Sequence, residues 1–103
     1  MDNLSIKELE TLLEAVRVYG ADRQQIKAVE ELSELAQALC KYTGEDIDDA
    51  AEAQLLIDHI AEEMADVEIM LEQLRIILGN HARVDAWQHE KLARLAVRLE
   101  RAK

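Results

Sequence analysis

A chain of 103 residues is enough for one helical domain but not for a large core, so apolar surface left over calls for association between copies. With no Phe, no Pro and 3% aromatic residues within 50% apolar content, the composition favours helix and excludes a sheet-rich fold, which draws on aromatic and β-branched residues. A net charge of -10 excludes nonspecific binding to nucleic acid polymers or to an anionic membrane surface, since both require a positive face. The lone Cys40 cannot close an internal disulfide and reads as a core residue of a protein in a reducing cytoplasm. No apolar run approaches a membrane span and no signal peptide is evident, so a soluble cytoplasmic protein is expected.

In chain order, a first helix is predicted from about Ser5 to Val18, with Leu4, Leu9, Leu12, Leu13 and Val16 on its apolar face and Gly20 ending it. Asp22 is expected to cap a second helix reaching about Tyr42, which carries Ile26, Val29, Leu32, Leu35, Ala36, Leu39 and Cys40 inward. The acidic stretch from Thr43 to about Asp49 reads as a loop. Asp48 or Asp49 then caps a long third helix ending near Leu78, with Leu56, Ile60, Met64, Val67, Leu71, Leu74 and Leu78 spaced as one face. After Gly79-Asn80, Asp85 is expected to cap a fourth helix to about Arg101, with Trp87, Leu92, Leu95, Ala96 and Leu99 as its apolar contacts. The expected fold is all-α: a single domain over residues 1–103, an antiparallel four-helix bundle-like unit completed by oligomerisation.

The chemistry lies on the second and third helices. Glu31 and Glu34 stand one turn apart on one stripe, and Glu63 and Asp66 repeat the arrangement. With 22 acids in the chain such a pair arises by chance, as in Asp49/Glu52, so one pair carries little. These two pairs differ in lying at the edge of apolar stripes, and an antiparallel packing of their helices sets them face to face. Four converging acids without basic partners repel one another, and a hard divalent cation with oxygen ligands relieves that repulsion. The all-oxygen donor set points to Mg2+, with Mn2+ a workable substitute.

Other metal chemistries fit less well. Neither pair has the Glu-x-x-His form of a di-iron bundle, no Cys/His cluster suggests zinc, and there is no glycine-rich phosphate loop. His59, one turn before Glu63, reads as a helix-surface histidine. Lys91, Arg94, Arg98 and Arg101 form a basic stripe on the fourth helix, and in so acidic a chain that stripe is a candidate phosphate clamp. The alternative for both features is a solvated face on a non-catalytic helical module for oligomerisation or partner binding.

Glu30-Glu31-Leu32-Ser33-Glu34, followed by Glu63-Met64-Ala65-Asp66, resembles the EExxE...ExxD signature of the MazG-like, all-α nucleoside triphosphate pyrophosphohydrolase superfamily. The likeness extends over roughly residues 19 to 102, including Gly20, Gln24, the 38–42 and 65–74 segments and the closing Lys91-Leu92-Ala93-Arg94-Leu95. The resemblance implies a Mg2+-dependent hydrolase that cuts a nucleoside triphosphate between its α and β phosphates, and a homodimer or homotetramer. It implies Glu31, Glu34, Glu63 and Asp66 as metal ligands, with Glu31 also taking a proton from water. Gln24, Lys27, Lys91 and Arg94 are the expected substrate contacts. Tyr19, where relatives often carry Trp, is placed to stack on a base or to pack in an interface, and the acidic 43–54 connection departs from the family pattern.

Overall fold

The structure, a computed structural model, describes residues 4–44 and 47–103. It is all-α, a four-helix bundle built from α1 (Ile6–Tyr19), α2 (Ala21–Gly44), α3 (Ala50–Leu78) and α4 (His81–Ala102). Among the described residues no helix is long and apolar enough to cross a membrane.

Local chemistry sets each boundary. Ser5 opens α1 through a reciprocal capping box with Glu8, in which the Ser5 hydroxyl accepts from the Glu8 N–H and the Glu8 carboxylate accepts from the Ser5 N–H, each at 3.0 Å. Those two hydrogen bonds hold the Glu8 carboxyl below its ordinary range. Gly20, at a φ of 91° that disfavours a side chain, both ends α1 and admits α2 at once. Asp22 therefore lies inside the first turn of α2 instead of capping it, where its charge still complements the helix dipole. The helix also runs two residues past Tyr42, to Gly44. Of the expected loop, residues 47–49 are non-helical, whereas residues 45 and 46 lie outside the described residues. Asp49 caps α3 by accepting from the Ala51 N–H at 2.9 Å, and Gly79 ends it in the left-handed region at φ 61°.

The α2–α3 hairpin is the centre of the fold. Gln24 meets Gln73 at one end, Glu31 meets Glu63 and Asp66 in the middle, and Ala38 shares a cavity with Leu56 and His59 at the other, which fixes an antiparallel register. Small residues on α2 allow this close approach: Ala28 and Ala38 are buried against α3, whose Val67 and Met70 are buried in turn. α1 closes over one end, where Leu12 packs toward Ile69.

Two expected apolar faces change here. The stripe of Ile26, Val29, Leu32, Leu39 and Cys40 faces outward, and only Leu35 of that set with a large side chain is half-buried. α2 carries two apolar stripes, and the one with the shorter side chains, Ala28 and Ala38, permits the tighter contact with α3. On α3, Val67 is buried and Leu56, Ile60 and Leu74 are half-buried, but Met64, Leu71 and Leu78 of the same expected face are exposed.

α4 starts at His81, four residues before Asp85, because Asp85 is engaged elsewhere. Arg75 of α3 donates to the Asp85 carboxylate at 2.8 Å, which lowers the Asp85 pKa and pins the start of α4 to the end of α3. Beyond that corner Trp87, Leu92, Leu95, Val97 and Leu99 are exposed.

The close α2–α3 contact at Ala28, only 2% exposed, makes a direct prediction. Ala28→Leu should overpack the seam and lower unfolding free energy by about 1–3 kcal/mol in chemical denaturation, whereas the same change at exposed Ala36 should be nearly neutral.

Candidate metal centre

Glu31 comes from the middle of α2, and Glu63 and Asp66 come from the middle of α3. Each offers a carboxylate oxygen, and the three oxygens lie within 4.8 Å of one another. The side chains of Glu31 and Glu63 are only 12% and 10% exposed. Each also has one buried oxygen, Glu31 Oε2 and Glu63 Oε2, with no hydrogen-bond partner. A buried carboxylate oxygen without a donor is costly, so this cluster has the character of an incomplete coordination sphere.

A lysine and a histidine approach the cluster from one side each. Lys27 Nζ lies 3.5 Å from Glu31 Oε1, and His59 Nε2 lies 3.7 Å from Glu63 Oε1. They leave the two inner oxygens unsatisfied. Burial raises the Glu31 pKa, the charges of Glu34 and Asp66 raise it further, and Lys27 only partly counters them. Glu34 therefore belongs to the electrostatics of the centre, yet it is exposed and stands outside the three-carboxylate cluster.

Two open cavities flank the cluster. One, of about 490 Å3, is lined by Tyr19, Arg23, Gln24, Ile26, Lys27 and Glu30. The other, of about 260 Å3, is lined by Glu34, Gln37, Ala38, Lys41, Leu56, His59 and Glu63. Each holds basic groups within reach of the acid seam, so an anion can approach the cluster without crossing a wholly negative surface.

The sequence-predicted residues thus divide. Glu31, Glu63 and Asp66 are brought together, Glu34 flanks them, and Lys27 contacts Glu31 directly. Gln24 is buried and donates from Nε2 to Gln73 Oε1 at 2.7 Å, which makes it a cross-link between α2 and α3 as well as a cavity wall. Lys91 and Arg94 are elsewhere: among the described residues they line neither cavity, both lie 5.9 Å from the Trp87 ring centroid, and Arg94 pairs with Glu90. Arg23 was not singled out, although its spacing one turn before Lys27 on the same stripe was available as a signal. His59 is a helix-surface histidine beside the acids, exposed and 3.7 Å from Glu63.

Comparison of the chain with protein-family models, curated proteins and solved structures finds no match. The donor set is instead judged by its own fit, and three oxygen donors with two unsatisfied buried atoms suit a hard divalent cation.

The raised Glu31 pKa sets a sign. The folded state holds the Glu31 proton more tightly than the unfolded chain, so this contribution to stability is complete below the ordinary carboxylate range and is lost as pH rises through the raised folded value. Without metal, wild-type Tm should decline over that interval, and Glu31→Gln should flatten the decline and raise Tm at neutral pH. Parallel wild-type and Glu31→Gln curves of Tm against pH would contradict the assignment.

Proposed function

We propose that the protein is a divalent-cation-dependent nucleoside triphosphate pyrophosphohydrolase of the MazG-like kind. The observation that carries this reading is the meeting of Glu31 of α2 with Glu63 and Asp66 of α3, in which Glu31 and Glu63 each keep a buried oxygen without a hydrogen-bond partner. An acid cluster built into a seam with basic cavities on both sides suits a polyphosphate, which needs both a cation and positive side chains to offset its charge. The cavity residues Tyr19 and Arg23 supply a ring and a guanidinium for the nucleoside end.

In this reading Glu31, Glu63 and Asp66 would hold Mg2+ or Mn2+, with Glu34 as a flanking ligand. Bound there, the ion would offset phosphate charge and acidify a water molecule. Glu31 suits the base role by position, since it is the one cluster carboxylate supplied by α2, opposite Glu63 and Asp66 of α3. Water oxygen adds to the α phosphorus, the α–β anhydride bond breaks, Glu31 takes the proton lost by water, and pyrophosphate leaves with the bonding electron pair. The products are a nucleoside monophosphate and pyrophosphate. Lys27 and Arg23 on one side and Lys41 on the other are the nearest groups to hold the phosphates.

The test is product analysis by 31P NMR with a panel of nucleoside triphosphates and Mg2+. Monophosphate with pyrophosphate is expected from at least one of them, and release of orthophosphate alone, or no turnover of any, would overturn the reading. Lys27→Ala should lower kcat/KM by about ten- to a thousandfold, the range for one charged contact at a reacting phosphate. Lys91→Ala should stay within about twofold, because its helix leaves the α2–α3 hairpin before reaching the cluster.

A further inference from the structure

The cavity of about 490 Å3 beside the carboxylate cluster has the size of a small-molecule site, and its lining is chemically mixed. Tyr19, Arg23 and Lys27 suit a nucleotide, whereas Glu30 is opposed to the anionic part of one. An ionised carboxylate accepts hydrogen bonds and donates none, so it repels a phosphate. The Glu30 side chain is exposed and, among the described residues, has no partner. The nearby cations are engaged elsewhere: Arg23 lies over Tyr19 at 5.6 Å from the ring centroid, and Lys27 Nζ is 3.5 Å from Glu31 Oε1. Glu30 also stands outside the cluster, because one residue of helix turns it about 100° from Glu31. Its carboxylate therefore lines the cavity as an acceptor without a donor.

Position along α2 decides which donors a nucleotide brings to it. Arg23, Lys27, Glu30 and Glu34 fall within roughly 60° of one stripe. At a rise of about 1.5 Å per residue, Glu30 stands roughly 10 Å beyond Arg23 and about 6 Å short of Glu34. With the base at Tyr19 and Arg23 and the α phosphate at the cluster, the sugar falls between them, beside Lys27 and Glu30. The phosphates carry no donor and the base is held farther along the cavity, so at that level only sugar hydroxyls can satisfy Glu30. A ribose presents two adjacent hydroxyls there, which match the two oxygens of one carboxylate, and hydrogen bonds to a charged acceptor are the strong kind. The wall behind them is fixed in advance, since Gln24 is tied to Gln73 at 2.7 Å.

We infer, taking the protein as a pyrophosphohydrolase, that Glu30 accepts hydrogen bonds from the 2′- and 3′-hydroxyls of the substrate, so that the enzyme selects ribonucleoside over deoxyribonucleoside triphosphates. A deoxyribose leaves one carboxylate oxygen facing the sugar without a donor, and the substrate loses the contact that offsets the charge of Glu30 against its phosphates. Sugar selection and metal binding then rest on neighbouring residues of one helix, Glu30 for the sugar and Glu31 for the cation.

The experiment compares ATP, GTP, CTP and UTP with their 2′-deoxy and 3′-deoxy forms in the presence of Mg2+, for wild type and Glu30→Gln. Isothermal titration of the corresponding monophosphates, which have no α–β bond to cleave, supplies a readout apart from turnover. For any base that wild type accepts, loss of either hydroxyl should lower kcat/KM by about ten- to a hundredfold, and monophosphate affinity should fall in the same order. Glu30→Gln keeps the shape of the side chain but not its charge or its second acceptor, and should shrink the ribose preference to within about threefold. The wild-type comparison needs no substitution, so it stands even if the variant folds poorly. Equal use of ribose and deoxyribose forms by wild type, or a preference that a folded Glu30→Gln retains, would overturn the inference. Turnover of no triphosphate would remove the hydrolase reading and leave the decision to the monophosphates: a ribose preference in binding that Glu30→Gln abolishes supports the sugar contact, and equal or absent binding overturns it.

Discussion

Most of this structure depends on one unfavourable arrangement: carboxylates from two helices held together where water cannot fully reach them. Glu31, Glu63 and Asp66 converge because the α2–α3 seam is tight, and it is tight because Ala28 and Ala38 let the backbones approach. The Gln24–Gln73 hydrogen bond then locks the register, so neither helix can slide to separate the charges. Lys27 and His59 each approach the cluster from one side, and neither reaches the inner oxygens. Small residues, a fixed register and incomplete pairing act together to leave a carboxylate cluster able to coordinate a divalent cation.

The same arrangement divides the molecule by charge. Basic groups that matter to an anionic ligand must lie near the acids, since a chain of net charge -10 repels such a ligand everywhere else. Arg23, Lys27 and Lys41 meet that requirement from α2 itself. Lys91 and Arg94 of the basic stripe on α4 instead lie by Trp87, and Arg94 donates to Glu90 at 2.6 Å. Arg75 holds that helix at its start through Asp85, and the rest of it extends from the corner.

The all-α class and the meeting of Glu31 with Glu63 and Asp66 were legible in the sequence, because i,i+3 spacing fixes side chains on a helix stripe and antiparallel packing fixes which midpoints meet. Periodicity says that a stripe is apolar but not what covers it. On α2 it favoured the bulkier set from Ile26 to Leu39, whereas the seam selects the smaller Ala28 and Ala38, with polar Gln24 and Glu31 on the same inner line. The start of α4 was missed for a related reason: Asp85 has the chemistry of a cap, but a guanidinium ten residues away in sequence competes for it. The basic stripe was assigned to the site by its charge and by the family likeness of the Lys91–Leu95 segment, and neither carries information on where the helix points.

The central claim is that the α2–α3 carboxylates hold a divalent cation, and Mn2+ tests it directly through its electron paramagnetic resonance signal. The account predicts that wild-type protein at neutral pH removes the free Mn2+ signal in a saturable way, that excess Mg2+ restores it, and that a variant combining Glu31→Gln with Glu63→Gln leaves it intact. A free Mn2+ signal undiminished by wild-type protein, or diminished equally by the double variant, would contradict it.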